Sequence, residues 1–96
     1  MCGIAGSTIA SAAVLASMRD RLRHRGPDGT GLWQNEEGGP GLTHTRLAVI
    51  DLSPAAAQPM TSDCGRYVLS FNGEIYNYLD LRAQLELKGE QFRSDS

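Results

Sequence analysis

The sequence predicts a small α+β domain in which several short strands and two helices form mixed layers. Three observations carry this. Short apolar or β-branched stretches are set off by glycine and proline at 2–6, 31–34, 41–51 and 66–77. Two longer stretches, at 11–23 and 77–89, repeat their apolar residues at helical spacing. Composition is also that of an ordinary globular chain, with 41% hydrophobic and 21% charged residues, so disorder is not the expected state.

Residues 2–6 are short, apolar and glycine-bounded, as suits a buried strand. From Ser11 to Arg23, Val14, Met18 and Leu22 recur every four residues with Leu15 beside them, which marks one face of a helix. Ser7, Thr8 and Ser11 are candidate caps. Gly26-Pro27 ends the helix, and Arg19, Arg21, Arg23 and Arg25 crowd its last turns, where cations suit the helix dipole. Strands follow at 31–34 and 41–51, the second holding "LTHTRLAVIDL". "SPAAAQP" (53–59) is a loop with two prolines. "RYVLSFNGEIYN" (66–77) reads as strand, Asn-Gly turn, strand. Asn77 and Asp80 open a helix carrying Leu81 and Leu85 that Gly89 stops, and "EQFRSDS" begins another strand.

Several function classes are excluded by totals. A formal net charge of -2 gives no general affinity for nucleic acid or anionic membranes. No apolar run reaches the roughly 20 residues of a membrane helix. "IASAAVLAS" is followed, not preceded, by arginines, the wrong order for a secretory leader. Two cysteines, Cys2 and Cys64, make no disulfide framework, so a reducing, cytoplasmic setting is expected. The chain stops at "RSDS" without a terminal element, as expected of a piece of a longer chain.

The chemistry-bearing candidates begin at "MCGIAG". With Met1 removed, Cys2 carries a thiol, of unperturbed pKa about 8.5, beside an α-amine of pKa about 7.7–8.0. Nucleophile and base are then one residue. A buried apolar cysteine is the competing reading. In "FNGEIYN", the side-chain amide of Asn72 and the N–H of Gly73 could stabilise an oxyanion, while Asn-Gly is equally the signature of a plain hairpin turn. Arg46 interrupts an apolar strand pattern; it suits bidentate capture of a carboxylate, an internal ion pair or a surface position. Glu74 and Asp95 could hold an ammonium group or be simply solvated.

His24 and His44 show no metal-ligand spacing with the cysteines, so no metal site is expected. A histidine base for Cys2 is unnecessary given the α-amine. "GPDGTG" and "GGPG" lack the ending of a phosphate loop. Asp20 interrupts "RDRLRHR", which reads as a solvated helix end.

Taken in order, "MCGIAG", "RHRGPDG", "HTRLAVIDL", "AAQPM", "FNGEIYN" and the final "SD" resemble the class II glutamine amidotransferase domain of glutamine-hydrolysing asparagine synthetases, an N-terminal-nucleophile hydrolase. The motifs cover nearly the whole chain. Leu47 stands where the sugar-phosphate branch of the superfamily typically has tryptophan, which favours the asparagine synthetase branch.

The resemblance implies a partial αββα sandwich with mostly antiparallel sheets, 1–96 being an incomplete glutaminase domain without its synthetase domain. It implies Cys2 as nucleophile, with Asn72 and Gly73 as oxyanion hole. Arg46 would bind the α-carboxylate of glutamine, Glu74 and Asp95 its α-amino group, and the backbone near Val49 and Ile50 would line the pocket. Arg25, Gly26, Pro27 and Asp28 are read as structural support and turn chemistry. No cofactor is implied here; ATP and Mg belong to the absent synthetase domain, which with glutamine is the expected partner. Unpaired sheet edges would also favour a homo-oligomer. The alternatives are an inactive glutamine-binding or association fragment, and the glutaminase half of another class II amidotransferase.

Overall fold

A computed structural model describes residues 1–95, and its main sheet is built from Gly3–Ser7 (β1), Gly29–Gln34 (β2) and Gly41–Arg46 (β3). β3 is central and antiparallel to both neighbours, with Thr45 opposite Gly3 of β1 and Thr30 of β2. Side chains alternate across a strand. Thr43 and Thr45 therefore share one face of β3, and Leu42, His44 and Arg46 the other.

The helix Ala12–Arg21 (α1) covers the Thr43/Thr45 face. Ser11 is the cap chosen among the three candidates: its hydroxyl accepts from Val14 N at 3.3 Å. Leu15 points at the sheet and is fully buried, while Val14 on the expected apolar face is 47% exposed. The Thr45 hydroxyl donates to the Leu22 carbonyl at 2.9 Å and accepts from Gly3 N at 3.2 Å, tying helix end, β1 and β3 together. Leu15→Ala removes the one apolar side chain that is fully buried among the described residues and is expected to cost about 2–5 kcal/mol. A urea midpoint lowered at unchanged m-value checks this.

The opposite face is covered by a second, smaller sheet, Met60–Thr61 (β4) paired antiparallel with Val68–Leu69 (β5). The segment entering β4 runs over Gly31, where a Cβ would lie 1.9 Å from the Gln58 carbonyl oxygen, so only glycine admits this approach. The segment leaving β5 is fixed by Ser70, whose hydroxyl lies 2.8 Å from Nδ1 of His44. Helix, sheet and sheet thus stack as α+β layers with antiparallel pairing, as expected of part of an αββα sandwich.

The second helix, Tyr78–Leu87 (α2), ends at Gly89, whose φ of +93° closes the turn. Gly89 N donates to Glu86 O and Glu90 N to Leu85 O, both at 3.0 Å, a Schellman ending. No α2 residue is buried. The tail folds back on it: Arg82 lies over the Phe92 ring at 4.8 Å and donates to Ser94 O at 2.6 Å.

Four expectations need correction. β1 is not a buried strand, since Ile4 is 47% exposed at the sheet edge. The 41–51 strand stops at Arg46, because the Arg46 guanidinium draws the following backbone around itself. The Asn72-Gly73 hairpin does not form: neither residue takes the positive φ that such a two-residue turn demands, and β5 ends at Leu69. No strand occurs at 90–95, where the backbone follows α2.

Candidate active site

The pairing of Gly3 with Thr45 brings Cys2 level with the end of β3. There its half-buried thiol meets the backbone of Leu47, which donates its N–H to Sγ at 3.3 Å and receives the thiol proton on its carbonyl at 3.7 Å. Arg25 Nε donates to the Cys2 carbonyl at 3.2 Å. A nucleophile candidate and the residue after Arg46 are therefore in direct contact, although 45 residues separate them in the chain.

Around Arg46 the "RGPDG" turn acts as a clamp. Gly26 packs on the backbone of Thr45 and Arg46, and Asp28 N donates to Arg46 O at 2.9 Å. The Asp28 carboxylate accepts from Ala48 N at 2.9 Å, turning the chain out of β3. The reading of these residues as support and turn chemistry thus has a physical counterpart. The guanidinium donates from Nη1 to Ser53 O at 2.7 Å and from Nη2 to Asp51 O. Val49 and Ile50 sit exposed on the loop so formed.

Asp51 is nearly buried at 8% exposure, and its two oxygens are used separately. Oδ1 accepts from Ser53 N at 2.7 Å, and Oδ2 from Asp95 N at 2.8 Å. Hydrogen bonds from the Ser53 side chain, the Asp95 N–H and the Ser53 N–H, with a smaller contribution from the charge of Arg46, hold its pKa down at about 2. Such a carboxylate adds stability above its ordinary value of 3.8 and loses it as pH falls through about 2. Between these values wild-type Tm is expected to fall more steeply with acid than that of Asp51→Asn, measured by thermal unfolding at successive pH.

Asn72, Gly73 and Glu74 lie between β5 and α2. The segment is tied down by Phe71 N, which donates to Gln58 Oε1 at 2.5 Å. Gln58 and Arg46 line one cavity of about 230 Å³, with Asp28 and Leu52 on its walls. The hydrogen bonds of Cys2 and Arg46 run to Arg25, Leu47, Asp51 and Ser53, and not to Asn72, Gly73 or Glu74. The structure thus brings Cys2, Arg46 and Asp95 into one chain of contacts through Leu47 and Asp51. The Asn72 segment is tied to Gln58, which shares a cavity with Arg46, and to His44 through Ser70.

Three contributors escape a sequence reading. Asp51 has a local signal, an Asp whose carboxylate bonds the N–H two residues on, but nothing in the sequence pairs it with Asp95. Gln58 has no signal. His44 is buried behind the site, its pKa lowered by burial and then by Arg46, with Nε2 unpartnered. Cys64, the other thiol, is exposed on the β4–β5 connection, and the Ser62 hydroxyl lowers its pKa. Among the described residues no group of three His, Cys, Asp or Glu is placed to hold a metal, and no helix is long and apolar enough to cross a membrane.

The chain is thus an α+β fold with a thiol and a guanidinium at one end of its central strand. The glutamine amidotransferase domain family matches residues 1–96, and the chain belongs to that family. It is 38% identical over 104 residues to the glutamine-hydrolyzing asparagine synthetase 1 of Bacillus subtilis (strain 168), covering 100% of this chain and 16% of that protein. With the synthetase 1 of Arabidopsis thaliana it shares 43% identity over 103 residues, covering 100% of this chain and 17% of that protein. The amidase chry2 of Gibberella zeae is 42% identical over 71 residues, 74% of this chain and 11% of its own length. The chain thus spans 11–17% of the length of these relatives. No solved structure gives a significant match.

Proposed function

We propose that the chain is the glutamine-hydrolysing part of an asparagine-synthetase-type amidotransferase, with Cys2 as an N-terminal nucleophile once Met1 is removed. The observation that carries this is the Cys2 thiol seated on the backbone of Leu47, next in sequence to Arg46, in a chain of the amidotransferase family. In this reading Arg46 binds the α-carboxylate of glutamine, using N–H groups not engaged by Asp51 and Ser53. Glu74 and Asp95 receive the α-ammonium, and the backbone at Val49 and Ile50 walls the pocket.

The Cys2 amine takes the thiol proton, directly or through a water, as sulfur attacks the side-chain amide carbon. The oxyanion that forms is held by the Asn72 amide and Gly73 N–H. Preorganised donors of this kind contribute roughly 3–4 kcal/mol each. The protonated amine then gives its proton to the leaving nitrogen; ammonia departs and a γ-glutamyl thioester remains. Water, deprotonated by the same amine, attacks the thioester, and glutamate and the free thiol are released. None of these steps draws on a cofactor.

Ammonia is then consumed by an ATP- and Mg-dependent synthetase domain. The described residues do not fit that cofactor: they hold no phosphate loop ending in Gly-Lys-Ser/Thr and no acidic metal cluster. A reducing cytoplasm suits a mechanism that needs a free thiol. The test is glutamate and ammonia release from glutamine by the Met1-free chain. Release in equal amounts supports the reading, and release of neither contradicts it.

A further inference from the structure

We infer that Asp51 is the positioning residue that sets the separation between Arg46 and Asp95, and so the register in which the amino-acid head of glutamine is held. The inference rests on the proposed function above. Its geometric basis is that Asp51 joins three segments at once. Its main-chain carbonyl accepts from Arg46 Nη2. Its Oδ1 fixes Ser53, whose carbonyl grips Nη1 of the same guanidinium at 2.7 Å. Its Oδ2 holds the Asp95 N–H at 2.8 Å, across 44 residues of sequence. Elsewhere in the tail Arg82 donates to Ser94 O and Arg93 to Thr61 O.

The chemistry of this position is specific to a carboxylate. The carboxylate receives the N–H groups of Ser53 and Asp95 on separate oxygens and the Ser53 side chain besides, and only an ionised carboxylate offers acceptors on both oxygens. An amide at position 51 keeps one acceptor and turns an NH2 toward the other donor, which breaks one of the two links. At 8% exposure there is little room for water to substitute. Losing the Asp95 link frees the group that meets the α-ammonium, while Cys2 keeps its own support from Leu47 and Arg25. The expected defect is therefore in binding of the amino-acid head rather than in the chemical step.

The test compares glutamine with glutaramate, the same amide and carboxylate without the α-amine, in wild-type and Asp51→Asn protein freed of Met1. For glutamine, KM is expected to rise about tenfold or more from misplacement of one binding group, with kcat held within about twofold, the signature of lost uniform binding. For glutaramate the rise in KM is expected to be clearly smaller. Should Asp51→Asn not fold, Asp51→Glu, which keeps both acceptors but moves them by one methylene, carries the same comparison. An unchanged KM for glutamine, or an equal rise for both substrates, overturns the positioning role alone. Absence of turnover in wild type overturns the proposed function and the positioning role with it.

Discussion

Cys2→Ala is expected to abolish glutamine hydrolysis, with kcat/KM falling by about a thousandfold or more, because no other group can form the thioester. The structure makes this substitution a clean one. The thiol's partners are the N–H and carbonyl of Leu47, at 3.3 and 3.7 Å, and Cys2 is half-buried, outside the buried core. Its loss should therefore change stability by only about 1 kcal/mol. Activity and folding can thus be separated: urea midpoints of wild type and variant stay close while turnover disappears. Cys64→Ala is the natural control, since that second thiol is exposed on the β4–β5 connection, with its pKa lowered by the Ser62 hydroxyl. A Cys2→Ala protein that hydrolyses glutamine at the wild-type rate would remove the nucleophile from the account.

Asn72→Ala is expected to lower kcat by about 10²–10³-fold with little change in KM, the effect of deleting a donor aimed at charge that exists only in the transition state. The competing expectation, a hairpin residue, predicts lost stability and unaltered turnover per folded molecule. The structure already weakens that alternative, because the segment after β5 forms no hairpin and Asn72 is free of the turn conformation. What holds the segment is Gln58, which receives the Phe71 N–H and also lines the cavity that contains Arg46. Steady-state kinetics with a parallel unfolding curve distinguishes the two cases.

How far the fold was legible depended on whether the deciding interaction was local. The helix α1, its Ser11 cap and the Gly89 stop of α2 are set by neighbours within a turn or so, and the sequence pattern reveals them. The strands expected at 31–34 and from 41 likewise show in their glycine boundaries, although β2 begins two residues earlier, at Gly29. The end of β3 did not show. "LAVIDL" has strand composition, but Arg46 gathers the carbonyls of Asp51 and Ser53 and Asp28 caps Ala48, so the backbone bends away. The Asn-Gly pair misled for the same reason: Phe71 is held by Gln58, 13 residues earlier, and the tertiary bond overrides local turn preference. Residue type and motif single out Cys2 and Arg46 as candidates. That a single buried carboxylate, Asp51, links Arg46 to Asp95 could be learned only from the folded chain. The leucines of α2 fit a helical period, yet none of them is buried.

The most direct test of the central claim is covalent labelling by an electrophilic glutamine analogue, mapped by peptide mass and run on two forms of the chain, with and without Met1. A thiol activated by its own α-amine should take up one equivalent at Cys2 in the form lacking Met1, with protection by glutamine, and stay unlabelled at Cys2 where Met1 blocks that amine. Equal labelling of Cys2 in both forms, or labelling confined to Cys64, would contradict it.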